Sequence, residues 1–407
     1  MSRTEATTVR KPTPRGNTPS LGHQWIIEEE IEAVAEVLRG EWMTQGPVIR
    51  AFEERLAASC GARYGVAFSS GTAALHAACF AAGIGPGDEV ITTPLTFVAT
   101  ANAVLYQQGL PVFADINPVT LTIDPDEIAA RLGRKTKAIL PMHFAGLPCD
   151  MERIAAVARD HRLTMIEDAC HALGAEWRSS NGRWQRIGNC SHSDMAAFSF
   201  HPVKHITTGE GGIVVTNQER FIEPLRAFRH HGMTKAHHEG CDEAEPWLVP
   251  MRSLGYNYRI TDFQCALGLK QLERLEIFLR RRREIAARYD DAFAALGLAC
   301  QPPDGADHRH AWHLFVIQLP LERLSADRAA IFRSLRQAGV AVNVHYLPVH
   351  LQPYYRERFG FAPGAYPIAE RYYERALSLP IFPRMSDEDV DRIIATVQDV
   401  LHRYRAT

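Results

Sequence analysis

The sequence predicts an α/β protein: a mainly parallel sheet covered by helices, followed by a smaller α/β unit. Three observations predict it. Seven short apolar runs alternate with helical patterns between Gly65 and Thr216, and alternation of that kind buries a parallel sheet on both faces. The chain has 407 residues, 46% of them hydrophobic, enough for two or three domains and a substantial core. A long charged helical run then precedes a second, shorter set of helical and apolar segments. The expected layout is an arm over residues 1–20, a large unit over 21–275 and a small one over 276–407.

Each element follows from its pattern. Ile26, Ile27, Ile31, Val34, Val37 and Leu38 recur at helical spacing, which gives a helix over Trp25–Arg39; Phe52–Ser59 reads as a second, short one. The expected strands are Gly65–Phe68, Glu89–Thr92, Pro111–Ala114, Ala138–Pro141, Thr164–Glu167, Ala196–Phe200 and Gly212–Thr216. Amphipathic helices over Thr72–Ala82, Asp126–Leu132 and Met151–Asp160 lie between them. A long helical run starts after Thr261, and its basic block Arg280–Arg283 reads as a solvated face. Ala311–Leu319, Arg328–Ala338, Val340–Tyr346 and Asp387–Tyr404 build the small unit.

Composition removes several function classes. With Lys+Arg 45 against Asp+Glu 47, the formal charge of −2 gives no general attraction to nucleic acid or anionic membrane. No apolar run approaches the roughly 18 residues that cross a bilayer, and the polar first twenty residues lack the apolar middle of a secretory signal. The eight cysteines are scattered without a C-x-x-C pair, which suits a reducing compartment and leaves a zinc ribbon unsupported. A cytoplasmic protein is expected. His230–His231 and His237–His238 lack a third ligand at useful spacing, so no metal site is expected.

Three segments carry chemistry. In FSSGTAALHAA (Phe68–Ala78) a strand ends, Gly71 permits a tight turn and a helix begins. The free N–H groups of that start, with the hydroxyls of Ser70 and Thr72, suit a phosphate. In TMIEDACHALGAEW (Thr164–Trp177) four residues deliver Glu167 and Asp168 to the carboxyl end of a strand, where open α/β sheets bind ligands. In FSFHPVKHITTGEGGIVVT (Phe198–Thr216) Lys204 sits in a rigid turn among aromatics, Pro202 and glycines; the chain has only six lysines. Such a shielded amine suits a Schiff-base lysine. A phosphate cradle, an acid for a pyridine nitrogen and a lysine for an aldehyde are together what pyridoxal phosphate (PLP) requires.

These segments, with TQGP (Thr44–Pro47), TPLTFVATANAV (Thr93–Val104), PMHFAG (Pro141–Gly146), LGYNYRITDFQCALG (Leu254–Gly268) and VNVHYLPVH (Val342–His350), closely resemble the DegT/StrS family of sugar-nucleotide aminotransferases from about Gly22 to Tyr404. The resemblance implies the fold type I architecture of aspartate-aminotransferase-like enzymes. It implies Lys204 as cofactor lysine and proton shuttle, and Asp168 on the pyridinium nitrogen. His171 would approach the ring hydroxyl, Phe97 would stack on the ring, and Ser70, Gly71, Thr72 and Ser199 would hold the phosphate. Asn257 would reach the phosphate of a neighbouring subunit, so a homodimer with shared active sites is implied. Arg229, His345 and Tyr346 are the candidates for substrate contact. HPVKHITTGEGG and RHHGMTK (Arg229–Lys235) look most like the members that move an amino group from L-glutamate to C4 of a UDP-linked 4-keto-6-deoxy-HexNAc sugar in pseudaminic acid biosynthesis, with pyridoxamine phosphate (PMP) as the intermediate cofactor form. Relatives acting on GDP-linked sugars share most of the core. A 3-dehydratase of the same fold resembles this chain except at the lysine, and a noncatalytic binding protein is the non-enzyme alternative.

Overall fold

In the computed structural model, which describes residues 21–234, 247 and 249–406, the seven expected strands form one sheet. They are β1 (Tyr64–Phe68), β2 (Glu89–Thr92), β3 (Leu110–Phe113), β4 (Thr136–Leu140), β5 (Thr164–Asp168), β6 (Met195–Ser199) and β7 (Gly212–Thr216). The spatial order is β1-β7-β6-β5-β4-β2-β3, and only β7 runs antiparallel to its neighbours. Alternate residues point to opposite faces. Ala67, Ile91, Ile139, Met165 and Ile213 join one buried cluster, and Val66, Val90, Leu140, Ile166 and Val214 join the other. Both faces are therefore covered.

Beyond the sheet, a second core gathers Ile285, Phe293, Phe315, Leu335, Leu377 and Val397 around a three-stranded antiparallel sheet of Ala299–Cys300, Phe315–Gln318 and Ala376–Leu379. The strand His308–Arg309 pairs back with Glu176–Arg178, which also pairs with Trp184–Arg186, in a separate small antiparallel sheet that joins the C-terminal third to the segment after β5. The arm at 1–20 and His237–His238 lie outside the described residues.

Several elements differ from expectation for physical reasons. The second helix runs over Pro47–Cys60, because Asp262 accepts from the amides of Gly46 (2.8 Å), Val48 (3.0 Å) and Ile49 (3.3 Å) and so caps it from far along the chain. The run after Thr261 is two helices, Asp262–Glu273 and Leu275–Ala294. They part at Arg274, whose guanidinium donates to the Trp25 carbonyl and to Glu30 and lies over the Trp25 ring. The solvated face expected at Arg280–Arg283 holds for exposed Arg280 and fails at Arg282, which is 2% exposed and donates to the carbonyls of Trp312, His313 and Ile381. Val340–Tyr346 forms only a bridge from Asn343 to Ser378. The helices Val98–Tyr106 and Pro367–Arg375 were not expected.

Candidate active site

A cavity of about 600 Å³ opens at the carboxyl ends of the parallel strands. It brings together every predicted site residue except Asn257 and Arg229. The antiparallel return of β7 accounts for the position of Lys204. The turn from β6 to β7 is closed by Phe200 N–H to the Gly211 carbonyl (2.8 Å) and Thr208 N–H to the Phe200 carbonyl (3.0 Å), which leaves Lys204 at the mouth of the sheet.

Opposite, the helix Gly71–Ala81 starts directly over the sheet edge. Ser70 Oγ accepts from the Ala73 amide at 3.1 Å and the Ser70 carbonyl accepts from Ala74 at 3.0 Å. The amides before them, on Gly71 and Thr72, belong to the turn whose N–H groups a helix leaves unpaired, and both residues line the cavity. Gly71 has to be glycine, since a Cβ there would lie 2.6 Å from Ser199 Cβ. The result is a narrow cradle of amides and hydroxyls at a positive helix end, a fit for a phosphate.

Asp168 ends β5 and is 3% exposed. Its Oδ2 accepts from Thr100 Oγ1 at 2.6 Å and its Oδ1 from the Cys170 amide at 3.1 Å. Thr100 in turn pairs with Thr96 at 2.6 Å. The carboxylate is thus held by two donors in a buried place, as a partner for a ring N–H⁺ should be. Phe97, 54% exposed, stands at the rim with Tyr346, ring centroids 5.9 Å apart.

The remaining wall is rich in imidazoles. Tyr346 Oη and His171 Nε2 are 3.3 Å apart, His345 Nδ1 bonds Ser378 Oγ at 2.8 Å, and His313 Nε2 lies 3.4 Å from Lys204 Nζ. Burial, reinforced by the charge on Lys204, holds His171 and His313 well below the usual histidine range and brings His345 to about 4. Burial also lowers the basicity of Lys204 and raises the Tyr346 phenol. The Nδ1 atoms of His171 and His313 are buried without a partner, and both residues line the cavity. Cradle, acid and amine, beside an imidazole with an unpaired nitrogen, fit pyridoxal phosphate.

Two predicted residues stand apart. Arg229, expected near the donor carboxylate or the diphosphate, is committed elsewhere: its Nη1 donates to Glu53 Oε1 (2.5 Å) and to the Ala67 carbonyl (2.6 Å). This ion pair fixes the helix Pro47–Cys60 against β1. Asn257 is exposed beside His230, outside the cavity. Thr100 and His313 were not anticipated. The Thr96–Thr100 spacing of four, one helical turn, was a signal for the first; His313 left none.

The fold and the site define a PLP-dependent aminotransferase. The chain belongs to the DegT/DnrJ/EryC1/StrS aminotransferase family, whose pattern it matches over residues 24–398, and is a sugar aminotransferase of that family. It is 43% identical to the spore coat polysaccharide biosynthesis protein SpsC of Bacillus subtilis over 92% of this chain and 95% of that protein. Among solved structures it is similar to PseC of Helicobacter pylori, an aminotransferase involved in pseudaminic acid biosynthesis (TM-score 0.85, 30% identity, 95% of this chain and 99% of that one). Spr1654 of Streptococcus pneumoniae, described as a sugar aminotransferase and solved in a PMP form, gives a TM-score of 0.87 at 30% identity, covering 95% of this chain and 98% of that one. Among the described residues no helix is long and apolar enough to cross a membrane, and no group of three His, Cys, Asp or Glu is placed to hold a metal ion.

Proposed function

We propose that the protein moves the amino group of L-glutamate to C4 of a nucleotide-linked 4-keto-6-deoxy sugar, UDP-2-acetamido-2,6-dideoxy-β-L-arabino-hexos-4-ulose, on a route to pseudaminic acid. The observation that carries the reading is the meeting of Lys204, Asp168 and the Gly71–Thr72 helix start in one cavity. The likeness to PseC supports the choice of sugar.

Bound PLP supplies an electron-withdrawing ring that accepts the electron pair of a Cα–H bond and, as PMP, carries the amino group between the two half-reactions. Gly71, Thr72, Ser70 and Ser199 would hold its phosphate. Asp168, oriented by Thr100 and the Cys170 amide, would keep the ring nitrogen protonated. Phe97 would cover the ring face and His171 would meet the ring hydroxyl. The Lys204 amine takes the proton from the donor's Cα in the first half and delivers one to sugar C4 in the second. Its burial favours the neutral, basic form. His345 and Tyr346 border the space left for the sugar.

In this reading the enzyme is a homodimer, with Asn257 of each protomer completing the phosphate site of the other. Trp42, Met43, Met251 and Leu254, all near Asn257 or the Thr261 turn in sequence or space, are 49–71% exposed, a degree of apolar exposure that supports a covered face. The seven described cysteines are all free, which suits a cytoplasmic setting.

The deciding experiment is a visible spectrum of the purified enzyme. A yellow band should bleach with L-glutamate and return with the UDP-linked ketosugar. Return only with a GDP-linked ketosugar would transfer the assignment to that branch, and a protein that never takes up PLP would end it. Mixed dimers of Lys204→Ala and Asn257→Ala subunits should regain activity in one of their two sites; inactive mixtures would argue against sharing.

A further inference from the structure

Among the described residues, Lys204 Nζ has one hydrogen-bond partner, the Nε2 of His313 at 3.4 Å. His313 reaches it from the C-terminal third of the chain, and four groups of contacts fix it there. The His313 and Leu314 amides donate to the Ala145 carbonyl at 2.8 and 3.2 Å, and the Ala311 amide donates to the Gly146 carbonyl at 3.0 Å. This is the PMHFAG turn, and it depends on Gly146: at a φ of +105° a Cβ would lie 2.8 Å from the His171 carbonyl, 3.0 Å from Trp312 N and 3.1 Å from His313 N. From behind, buried Arg282 donates to the carbonyls of Trp312 (3.0 Å), His313 (3.4 Å) and Ile381 (2.8 Å). His205, next to Lys204 in sequence, bonds the Ala311 carbonyl through Nε2 at 3.0 Å. The lysine turn and the histidine segment are thereby registered against each other. Finally, the His171 ring packs on His313 with centroids 4.2 Å apart.

The imidazole held in this way uses only one of its nitrogens, because Nδ1 is buried without a partner. Buried polar atoms are nearly always paired, so a residue kept only for packing would serve as well with an apolar side chain. The ionisable groups around it are Lys204, His171, His205 and Arg282. Burial first, and then these neighbouring positive charges, keep the ring neutral.

We propose that His313 is a positioning residue for the Lys204 amine: whenever that amine is not bonded to the cofactor, the neutral Nε2 accepts a hydrogen bond from Nζ and turns the nitrogen lone pair toward the cavity. This rests on Lys204 being the cofactor lysine. An acceptor of this kind binds an ammonium more strongly than an amine, so it raises the basicity of Lys204 against the opposing effect of burial.

The test uses the apoprotein as well as turnover. The rate of PLP rebinding, followed at the visible band, rises with pH as Lys204 loses its proton. In His313→Leu the midpoint of that curve should fall by about one pH unit, while kcat drops about 10–100-fold with KM for L-glutamate little changed. His313→Gln, whose amide oxygen reaches toward the same place, should restore both in part. A midpoint that does not move in His313→Leu overturns the proposal. If that variant does not fold, ¹⁵N-histidine-labelled apoprotein decides: Lys204→Ala should shift the Nε2 resonance of one neutral histidine, and unchanged histidine signals overturn the proposal. A Lys204→Ala protein that still forms the yellow band would overturn the lysine assignment itself, an outcome distinct from the failure of His313.

Discussion

Asp168 depends on Thr100 as much as on its own place in the sheet. The carboxylate is buried, and the threonine hydroxyl is one of its two donors. Thr100→Val keeps the shape and removes the donor, which destabilises the ionised Asp168 by about 1–3 kcal/mol. Retention of PLP in equilibrium dialysis should therefore weaken roughly tenfold or more, with the fold unchanged; equal retention would show that the Cys170 amide suffices. Gly71→Ala should lose cofactor more completely, because its methyl would press on Ser199 and displace the helix start from the phosphate position. The yellow band of that variant at saturating PLP is the measurement. At this scale the sequence is readable where function needs a residue type at a strand end or a turn, as at Asp168, Lys204 and Gly71. Thr100 and His313 act across 68 and 109 residues of chain, and such contacts exist only after folding.

Elements were legible in proportion to how local their causes are. β2, β7 and the helix Met151–Asp160 have the bounds expected from pattern alone. The helix Pro47–Cys60 does not, since its first turn is held by Asp262 rather than by anything nearby. Asp262→Ala should free three amides and cost about 1–3 kcal/mol, read as a lower urea midpoint at unchanged slope. Asp262→Asn should recover part of the loss, and a midpoint unaffected by either change would deny the cap its role. Arg282 shows the same limit. An arginine within a basic block reads as surface, yet three main-chain carbonyls from two distant segments converge on it.

For the whole molecule, the buried imidazoles set an acid limit. His171, His205, His310 and His313 are at most 5% exposed, and burial holds all four well below their usual range. Unfolded, each would bind a proton below about pH 6.5, so the unfolded state gains protons that the native state refuses. Stability then rises with pH through that window and falls as the solution is acidified, by about 1.4 kcal/mol per histidine per pH unit well below it. Melting temperature should fall steeply from pH 6.5 to 5, and a flat profile would mean that the imidazoles are charged in the native protein. The sheet's order was the least legible feature, because strand patterns carry no information on neighbours; β1 pairs with β7, not with the strand that follows it. That pairing, with the Asp262 cap, has a consequence for synthesis on the ribosome. Val48 waits for a residue made 214 positions later, which at about 5–20 residues per second is roughly 10–40 s of translation. Until then the first helices and β1 have no finished place to dock, and the nascent chain offers them to any chaperone or protease that arrives first.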